Sequence, residues 1–145
     1  MSLTRIIQPI FASRRRALDK YQTQAEQLQM QVLHRLVNKA KNTEWGRNHG
    51  FASVSSYEDF AKTSDVNTYE ELKLAIDRMR QGESDILWPG KVRWYAKSSG
   101  TTNDKSKFIP VSKDGLKDTH YAGGRDAVTW YLRNNPQSRI FDGKA

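Results

Sequence analysis

The sequence contains no cysteine and no long apolar run, and each absence excludes certain kinds of protein. Without cysteine the chain can form neither a disulfide framework nor a thiolate zinc site, which fits a reducing compartment. Its three histidines lie far apart in sequence, so no metal-ligating cluster is predicted: His34, His49 and His120. No apolar stretch approaches the roughly 18 residues of a membrane helix. The short apolar run 6–11 comes before the arginines at 14–16, whereas a secretory signal has its basic residues before its apolar core. We therefore expect a cytoplasmic protein without a membrane partner.

Basic residues outnumber acidic ones, 24 to 16, and give a formal net charge of +8. Such an excess suits nucleic acid, an anionic surface or a phosphorylated ligand. The charge is spread along the chain, however, and Arg14–Arg16 is the single basic triplet in the sequence. A solvated basic surface explains such a spread more simply than a nucleic-acid site does.

Hydrophobic periodicity predicts a mainly helical region over residues 1–90. From about Ser13 to Lys41, apolar residues recur at steps of three and four, which is typical of one helix face. Two segments match the capping box, in which a hydroxyl and a carboxylate satisfy helix-start amides reciprocally: Ser55–Glu58 and Thr68–Glu71. We expect a short helix to about residue 62, and a longer helix over 69–81 that buries Leu72, Ile76 and Met79 and stops at Gly82.

The remaining chain predicts a strand–loop–strand unit over residues 91–111 and a helix over 112–135. Residues with high strand propensity occur at Val92–Lys97 and Lys107–Val111. Ser112 is a suitable N-cap for a helix from Lys113 to Arg133. Arg139–Phe141 predicts the start of another strand, within residues 136–145.

The loop between the two predicted strands, KSSGTTNDKSKFIPVS, has the composition of an anion site. It offers four hydroxyl donors, one glycine that permits close backbone approach, and two lysines. These residues are Ser98, Ser99, Gly100, Thr101, Thr102, Lys105 and Lys107. Dense neutral donors beside lysines suit phosphate better than a carboxylate or a metal ion.

Two other interpretations of the loop are a Walker A loop and a polar hairpin loop. A Walker A loop requires a second glycine before its lysine and a helix after it, and this chain has neither at that place. A polar hairpin loop, whose serines and threonines satisfy their own backbone, would need no ligand at all. Composition alone leaves the phosphate site and the polar hairpin open.

Ser98–Thr102 followed by Lys105–Pro110 resembles the nucleotide loop of adenylate-forming enzymes. It is most similar to the acyl acid–amido synthetases of the auxin-responsive Gretchen Hagen family. The likeness covers essentially all 145 residues, because further segments also match that family: Asn42–Phe51, Ser56–Phe60, Thr68–Leu72 and Gly82–Pro89.

The resemblance implies an α/β fold with helices packed on a mixed sheet and the phosphate loop between two strands. It also implies a two-step ligase. A carboxylic acid attacks the α-phosphate of ATP, with Mg²⁺ neutralising charge, and gives an acyl-adenylate and pyrophosphate. An amine, such as that of an amino acid, then attacks the acyl carbon and expels AMP. The seven loop residues would hold the β- and γ-phosphates. The resemblance identifies no general base in this chain.

The acyl substrate would lie, by the same resemblance, near the helix that follows Lys113. Tyr121, Gly124 and Arg125 are the candidates, with Arg125 meeting the substrate carboxylate. The adjacent glycines Gly123 and Gly124 weaken a helix, which predicts that something packs closely there. Packing against another helix, with Arg125 in solvent, remains the alternative.

Two departures from the family pattern stand out. Asn103 and Asp104 occupy positions where the family often has glycine, and Asp104 adds a negative charge beside the expected phosphates. Family members are also several times longer, with later adenine and ribose motifs. We therefore expect this chain to be the N-terminal part of the large ATP-binding domain, inactive without the remainder of the protein. A non-enzymatic basic domain that binds nucleic acid or another anionic partner is the alternative.

The first prediction separates these two functions. If the +8 charge serves a small phosphorylated ligand, the chain should bind duplex DNA or RNA no more tightly than about 10⁻⁶ M at physiological salt. Filter binding or fluorescence anisotropy across 50–200 mM salt measures this, because a protein neutralising many phosphates loses roughly 10³-fold or more in affinity over that range. Nanomolar binding with that salt dependence would favour the basic domain.

Overall fold

The computed structural model describes residues 2–99 and 106–143, which divide into two compact units. We call residues 2–28 and 114–143 the terminal unit, and residues 29–99 and 106–113 the central unit. The helices are α1 Leu3–Asp19, α2 Ala25–Ala40, α3 Glu44–Asn48, α4 Tyr57–Thr63, α5 Tyr69–Arg80, α6 Lys113–Gly115 and α7 Ala122–Asn134. The strands are β1 Trp94–Lys97 and β2 Phe108–Val111. Short 3₁₀ turns cover Lys20–Gln22 and Phe51–Ser53, and a π-helical segment covers Leu116–Tyr121.

The terminal unit is built on the packing of α1 against α7. The Arg14 guanidinium donates from Nε and Nη2 to the two carboxylate oxygens of Asp126, at 2.6 and 2.8 Å. This bidentate bond lowers the pKa of Asp126 below its ordinary value. Leu18 on α1 and Leu132 on α7 are buried. Each helix therefore contributes a buried apolar side chain and charged partners, since Arg133 on α7 also pairs with Asp19 on α1 at 3.2 Å.

A second set of contacts joins the start of α1 to the residues after α7. Asp142 Oδ1 accepts hydrogen bonds from the Ser2 hydroxyl and from the Thr4 amide and hydroxyl, at 3.0–3.1 Å. These donors, the Thr4 amide foremost, together with Arg139, hold the pKa of Asp142 well below its usual range. The Phe141 amide in turn donates to the fully buried Thr4 hydroxyl at 3.0 Å. The chain here follows turns, so the predicted strand at Arg139–Phe141 is wrong.

The central unit contains two apolar clusters. Val37, Ala40 and Phe51 form the first, and Met79, Ile86 and Val92 form the second. Residues 85–90 form a series of bends that includes Ile86 of the second cluster, and they are fixed to α3 by main-chain hydrogen bonds. The Glu44 amide donates to the Asp85 carbonyl at 2.8 Å, and the Trp45 amide donates to the Ile86 carbonyl at 3.0 Å.

Arg78 on α5 reinforces this arrangement. Its guanidinium donates to both carboxylate oxygens of Glu44, at 2.7 and 2.8 Å, and also to Glu83 Oε2. The pKa of Glu44 is lowered, first by its hydrogen bonds from Arg78. One side chain thus links α5 both to the start of α3 and to the segment that leads into β1.

β1 and β2 form a two-stranded antiparallel sheet among the described residues. The register pairs Trp94 with Val111, Tyr95 with Pro110, Ala96 with Ile109 and Lys97 with Phe108. Both predicted strands are confirmed, each starting slightly later than expected. The mixed sheet that the resemblance implied is not present within residues 2–99 and 106–143, where the hairpin strands pair only with each other.

The predicted single helix over Ser13–Lys41 is wrong. α1 begins at Leu3 and passes through Pro9, and a turn over residues 20–24 separates it from α2. The Ser2 side chain caps α1 by accepting from the Arg5 amide. A proline in a helix interior removes one backbone hydrogen bond. The packing of α1 on α7 offsets that cost, and periodicity alone does not reveal this.

One of the two predicted capping boxes is shifted by one residue. The N-cap of α4 is Ser56, with Asp59 as its reciprocal partner, rather than Ser55 with Glu58. Asp59 Oδ2 also accepts from the amide and hydroxyl of Ser55, so the neighbouring serine strengthens the same cap. The box at Thr68 and Glu71 is confirmed.

The predicted helix that follows the second box is also confirmed. α5 buries Ile76 and Met79, while Leu72 is half-buried. Gly82 follows with φ +107°, the left-handed backbone expected where a helix stops at glycine.

The helix predicted from Lys113 to Arg133 is present but is not regular throughout. α6, the π-helical segment and α7 follow one another from Lys113 to Asn134, so the first part of the predicted helix has π geometry. A helix-period pattern does not distinguish the two geometries.

Gly46 provides a test of the packing between α3 and the end of α2. A Cβ at Gly46 would lie 2.1 Å from the Ala40 carbonyl oxygen, so Gly46→Ala requires a backbone shift. We expect a loss of at least about 2 kcal/mol in the free energy of unfolding. Gly123→Ala is the matched control, because its Cβ would meet no described atom within 4 Å and should add about 0.5–1 kcal/mol through helix propensity. Urea unfolding followed by tryptophan fluorescence measures both, and equal stabilities would contradict the packing.

Candidate functional site

The candidate phosphate loop joins β1 to β2, as the sequence predicts. Among its predicted ligands, Ser98, Ser99 and Lys107 belong to the described residues. The other four lie outside them: Gly100, Thr101, Thr102 and Lys105. The structure therefore describes the two ends of the loop, where it leaves one strand and enters the other.

Ser98 and Lys107 close the neck of the loop. The Ser98 amide donates to the Lys107 carbonyl at 3.0 Å, and the Lys107 amide donates to the Ser98 hydroxyl oxygen at 3.1 Å. This pairing extends the ladder of the hairpin by one step beyond the strands. A serine hydroxyl that accepts one hydrogen bond still carries a proton, so Ser98 retains a donor for a ligand. Ser99 follows it and is exposed.

Tyr69, the first residue of α5, contacts Lys107 and Phe108, where the loop enters β2. Its hydroxyl oxygen accepts a hydrogen bond from the Phe108 amide at 3.0 Å. The Lys107 ammonium lies over the Tyr69 ring, 5.5 Å from its centroid, within the roughly 6 Å range of a cation–π contact. At the other end of α5, the Arg80 guanidinium stacks on the Phe108 ring at 3.8 Å. One face of α5 therefore carries the start of β2.

The spacing of Tyr69 and Arg80 explains how both reach the hairpin. They are eleven positions apart in the sequence, which is about three turns of an α-helix, so they lie on the same face. Sequence reasoning missed both residues. The capping box predicted that α5 begins at Tyr69, but no local signal indicates which segment the tyrosine contacts.

The charges around the loop neck are predominantly positive. Lys97 is the cross-strand partner of Phe108, and Lys107 lies beside it in the chain. Neither lysine forms an ion pair with a described residue, whereas Arg80 is paired with Asp77 at 3.2 Å. Burial raises the pKa of the Tyr95 phenol on β1, so that hydroxyl stays neutral. Each of these two lysines therefore carries a charge that no described carboxylate neutralises, and Lys107 is the one whose main chain closes the neck.

The predicted acyl-site residues lie in the terminal unit, and the loop lies in the central unit. Tyr121 closes the π-helical segment and is 66% exposed. The Arg125 side chain is also exposed, with Nε 4.0 Å from Asp126 Oδ1. At Gly123 and Gly124 an added Cβ would meet no described atom within 4 Å. The close packing predicted from this glycine pair is thus absent among the described residues.

Two further findings bear on the chemistry of the described residues. They contain no group of three or more histidine, aspartate or glutamate side chains that could hold a metal ion, so no residue is assigned to Mg²⁺. None of their helices is long and apolar enough to cross a membrane.

Comparison with known proteins gives a family match over most of the chain. The profile of the GH3 family N-terminal domain matches residues 14–145. Indole-3-acetic acid-amido synthetase GH3.6 of Arabidopsis thaliana is 27% identical over 95 residues, which are 65% of this chain and 16% of that protein. The synthetase GH3.15 of the same plant is 31% identical over 101 residues, 69% of this chain and 17% of that protein.

A jasmonoyl–L-amino acid synthetase, JAR4 of Nicotiana attenuata, is 24% identical over 122 residues, 83% of this chain and 20% of that protein. The chain thus spans about a sixth to a fifth of the length of the curated relatives it matches.

The loop neck can be tested with two adjacent serines. Ser98→Ala removes the acceptor of the Lys107 amide, a loss of about 1 kcal/mol, so that amide should exchange with solvent about five times faster. Ser99→Ala removes an exposed hydroxyl of the same type and should leave the exchange rate unchanged. Native-state hydrogen exchange read by NMR measures both variants. Equal protection of the Lys107 amide in the two variants would show that the Ser98 hydroxyl does not close the neck.

Proposed function

This chain belongs to the GH3 family, and on that premise we propose that it carries the phosphate-binding loop of an ATP-dependent acyl acid–amido synthetase. The observation that supports the proposal most directly is the neck of the loop. There, the Ser98 hydroxyl keeps its proton for a ligand while its oxygen accepts from the Lys107 amide, and neither Lys97 nor Lys107 is paired with a described carboxylate. The names of the relatives, which are synthetases of indole-3-acetic acid and jasmonoyl amides, support an acyl acid and an amino acid as substrates.

The proposed reaction has two steps. A carboxylate oxygen of the acyl acid bonds to the α-phosphorus of ATP while the bond to the bridging oxygen breaks, so pyrophosphate leaves and an acyl-adenylate forms. An amine nitrogen then attacks the acyl carbon, AMP leaves, and the nitrogen loses its proton. Mg²⁺ would accompany ATP and neutralise part of the phosphate charge.

The contribution of the loop to this reaction is electrostatic. Negative charge accumulates on the β- and γ-phosphates as the bond to the α-phosphate breaks. Donors that are already oriented stabilise that charge without reorganising during the reaction. We assign this role to the seven residues predicted from the sequence: Ser98, Ser99, Gly100, Thr101, Thr102, Lys105 and Lys107. The antiparallel hairpin and α5 hold the two described ends of the loop through Ser98, Lys107 and Phe108.

The acyl acid is assigned to the region of α7. The Arg125 guanidinium is exposed and 4.0 Å from its nearest described carboxylate oxygen, so it has capacity for a second anion. Gly123 and Gly124 leave open space beside it among the described residues. Tyr121, also exposed, would contact the body of the same substrate. A guanidinium that pairs with the substrate carboxylate would orient it for attack.

Binding of polyphosphate by the chain itself tests the proposal. Inorganic tripolyphosphate should shift the NMR amide signals of Ser98, Ser99 and Lys107. The double variant Thr101→Ala, Lys105→Ala should weaken binding at least tenfold, since it removes one hydroxyl donor and one charge-assisted donor. Lys20→Ala with Thr23→Ala removes the same residue types from an exposed turn of the terminal unit and should retain the wild-type affinity. Equal weakening by both pairs would mean that the loop is not the binding site.

The same double variant has an expected effect on catalysis. In a protein that joins this domain to the remaining length of a GH3 relative, carboxylate-dependent ATP–pyrophosphate exchange should be abolished. Exchange within twofold of the unsubstituted protein would contradict a phosphate-holding role for Thr101 and Lys105.

A further inference from the structure

We propose that Tyr69 is a positioning residue for the phosphate loop, acting on Lys107 through its ring and on the Phe108 amide through its hydroxyl. The inference rests on the proposed function, because it takes Lys107 as a phosphate ligand. Tyr69 lies far from the loop in sequence. Its hydroxyl oxygen accepts a hydrogen bond from the Phe108 amide, and the Lys107 ammonium lies over its ring.

The hydroxyl contact fixes the main chain. Phe108 is the first residue of β2, and its amide points to the Tyr69 oxygen at 3.0 Å. On the other side of Lys107, the Lys107 amide is held by the Ser98 hydroxyl at 3.1 Å. Two consecutive amides are therefore bound to side chains of different elements. The amides on both sides of the Lys107 Cα are therefore hydrogen-bonded, which fixes the point from which the Lys107 side chain projects.

The ring contact orders the ammonium without neutralising it. A carboxylate in place of Tyr69 would also attract Lys107, but it would cancel the charge and repel an incoming phosphate. An aromatic face attracts the cation through its quadrupole and carries no net charge. The ammonium can therefore lie over the ring and still offer its full positive charge to an anion.

Tyr69 is itself held in place by the start of α5. Glu71 Oε2 accepts from the Thr68 amide at 2.6 Å and from the Thr68 hydroxyl at 2.8 Å, which fixes the first turn of the helix. These bonds, led by the one from the Thr68 amide, lower the pKa of Glu71, so its carboxylate stays ionised at neutral pH. The capping box thus sets the direction in which the tyrosine leaves the helix.

Variants of Tyr69 separate the two contacts. Tyr69→Phe keeps the ring and removes the acceptor of the Phe108 amide, whereas Tyr69→Leu removes both contacts. The affinity of the 145-residue chain for inorganic tripolyphosphate, measured by NMR titration, should fall in both variants. It should be about two- to fivefold lower in Tyr69→Leu than in Tyr69→Phe, which is the range expected for one exposed cation–π contact.

The decisive measurement repeats the comparison in a Lys107→Met background. If the ring acts through the Lys107 ammonium, the difference between the phenylalanine and leucine variants should disappear there. A purely structural effect of the ring would persist, because it does not depend on the charge of residue 107. Urea unfolding of the same variants reports the structural effect separately.

The outcomes distinguish this inference from the proposed function. If the wild-type chain does not bind tripolyphosphate, or if Lys107→Met leaves the affinity unchanged, the proposed role of Lys107 is wrong and the inference fails with it. If Lys107→Met weakens binding but the phenylalanine–leucine difference persists in its background, the proposed function stands and the inference alone is overturned. Loss of the difference in that background supports Tyr69 as a positioning residue.

Discussion

The central unit depends on the contacts that α5 makes in three directions. Its buried residues Ile76 and Met79 belong to the apolar interior, and Met79 clusters with Ile86 and Val92. Its Arg78 guanidinium joins Glu44 and Glu83, so α3 and the segment leading to β1 are tied to the same helix. Its first and last residues, Tyr69 and Arg80, both contact Phe108 of the hairpin. Because α5 contacts both the segment leading to β1 and the start of β2, we expect a substitution in α5 to alter the geometry of the loop neck.

The hairpin needs that support for a physical reason. A two-stranded sheet is at best marginally stable alone in water, and at least one of its faces must be packed. The register places Tyr95 and Phe108 on the face that contacts α5, while Trp94 and Ile109 on the other face remain about half exposed. The two described ends of the loop are therefore held by one packed face and by the hydrogen bonds of Ser98 and Tyr69.

Local chemistry was predictable from the sequence, and long-range contacts were not. The capping box at Thr68 and the two strands follow from patterns within a few residues. The capping-box pattern does not fix the N-cap of α4 to one residue, since adjacent serines and adjacent acidic residues satisfy it in both registers. Local residue types predict a strand at Arg139–Phe141, whereas the turns there depend on contacts with Thr4, more than a hundred residues away. The contact of Tyr69 with Phe108 is likewise long-range, spanning 39 positions, and no local pattern indicates it.

The distribution of ion pairs explains how a modest charge excess can act at one place. Several carboxylates are committed to partners within helices or between them, as in Arg14–Asp126, Arg78–Glu44 and Lys73–Asp77. Such pairs remove charge from the surface in equal amounts of both signs. At the loop neck the Lys107 ammonium has an aromatic ring beside it and no carboxylate among the described residues. The potential there depends on which partner each lysine has, and less on the total of +8.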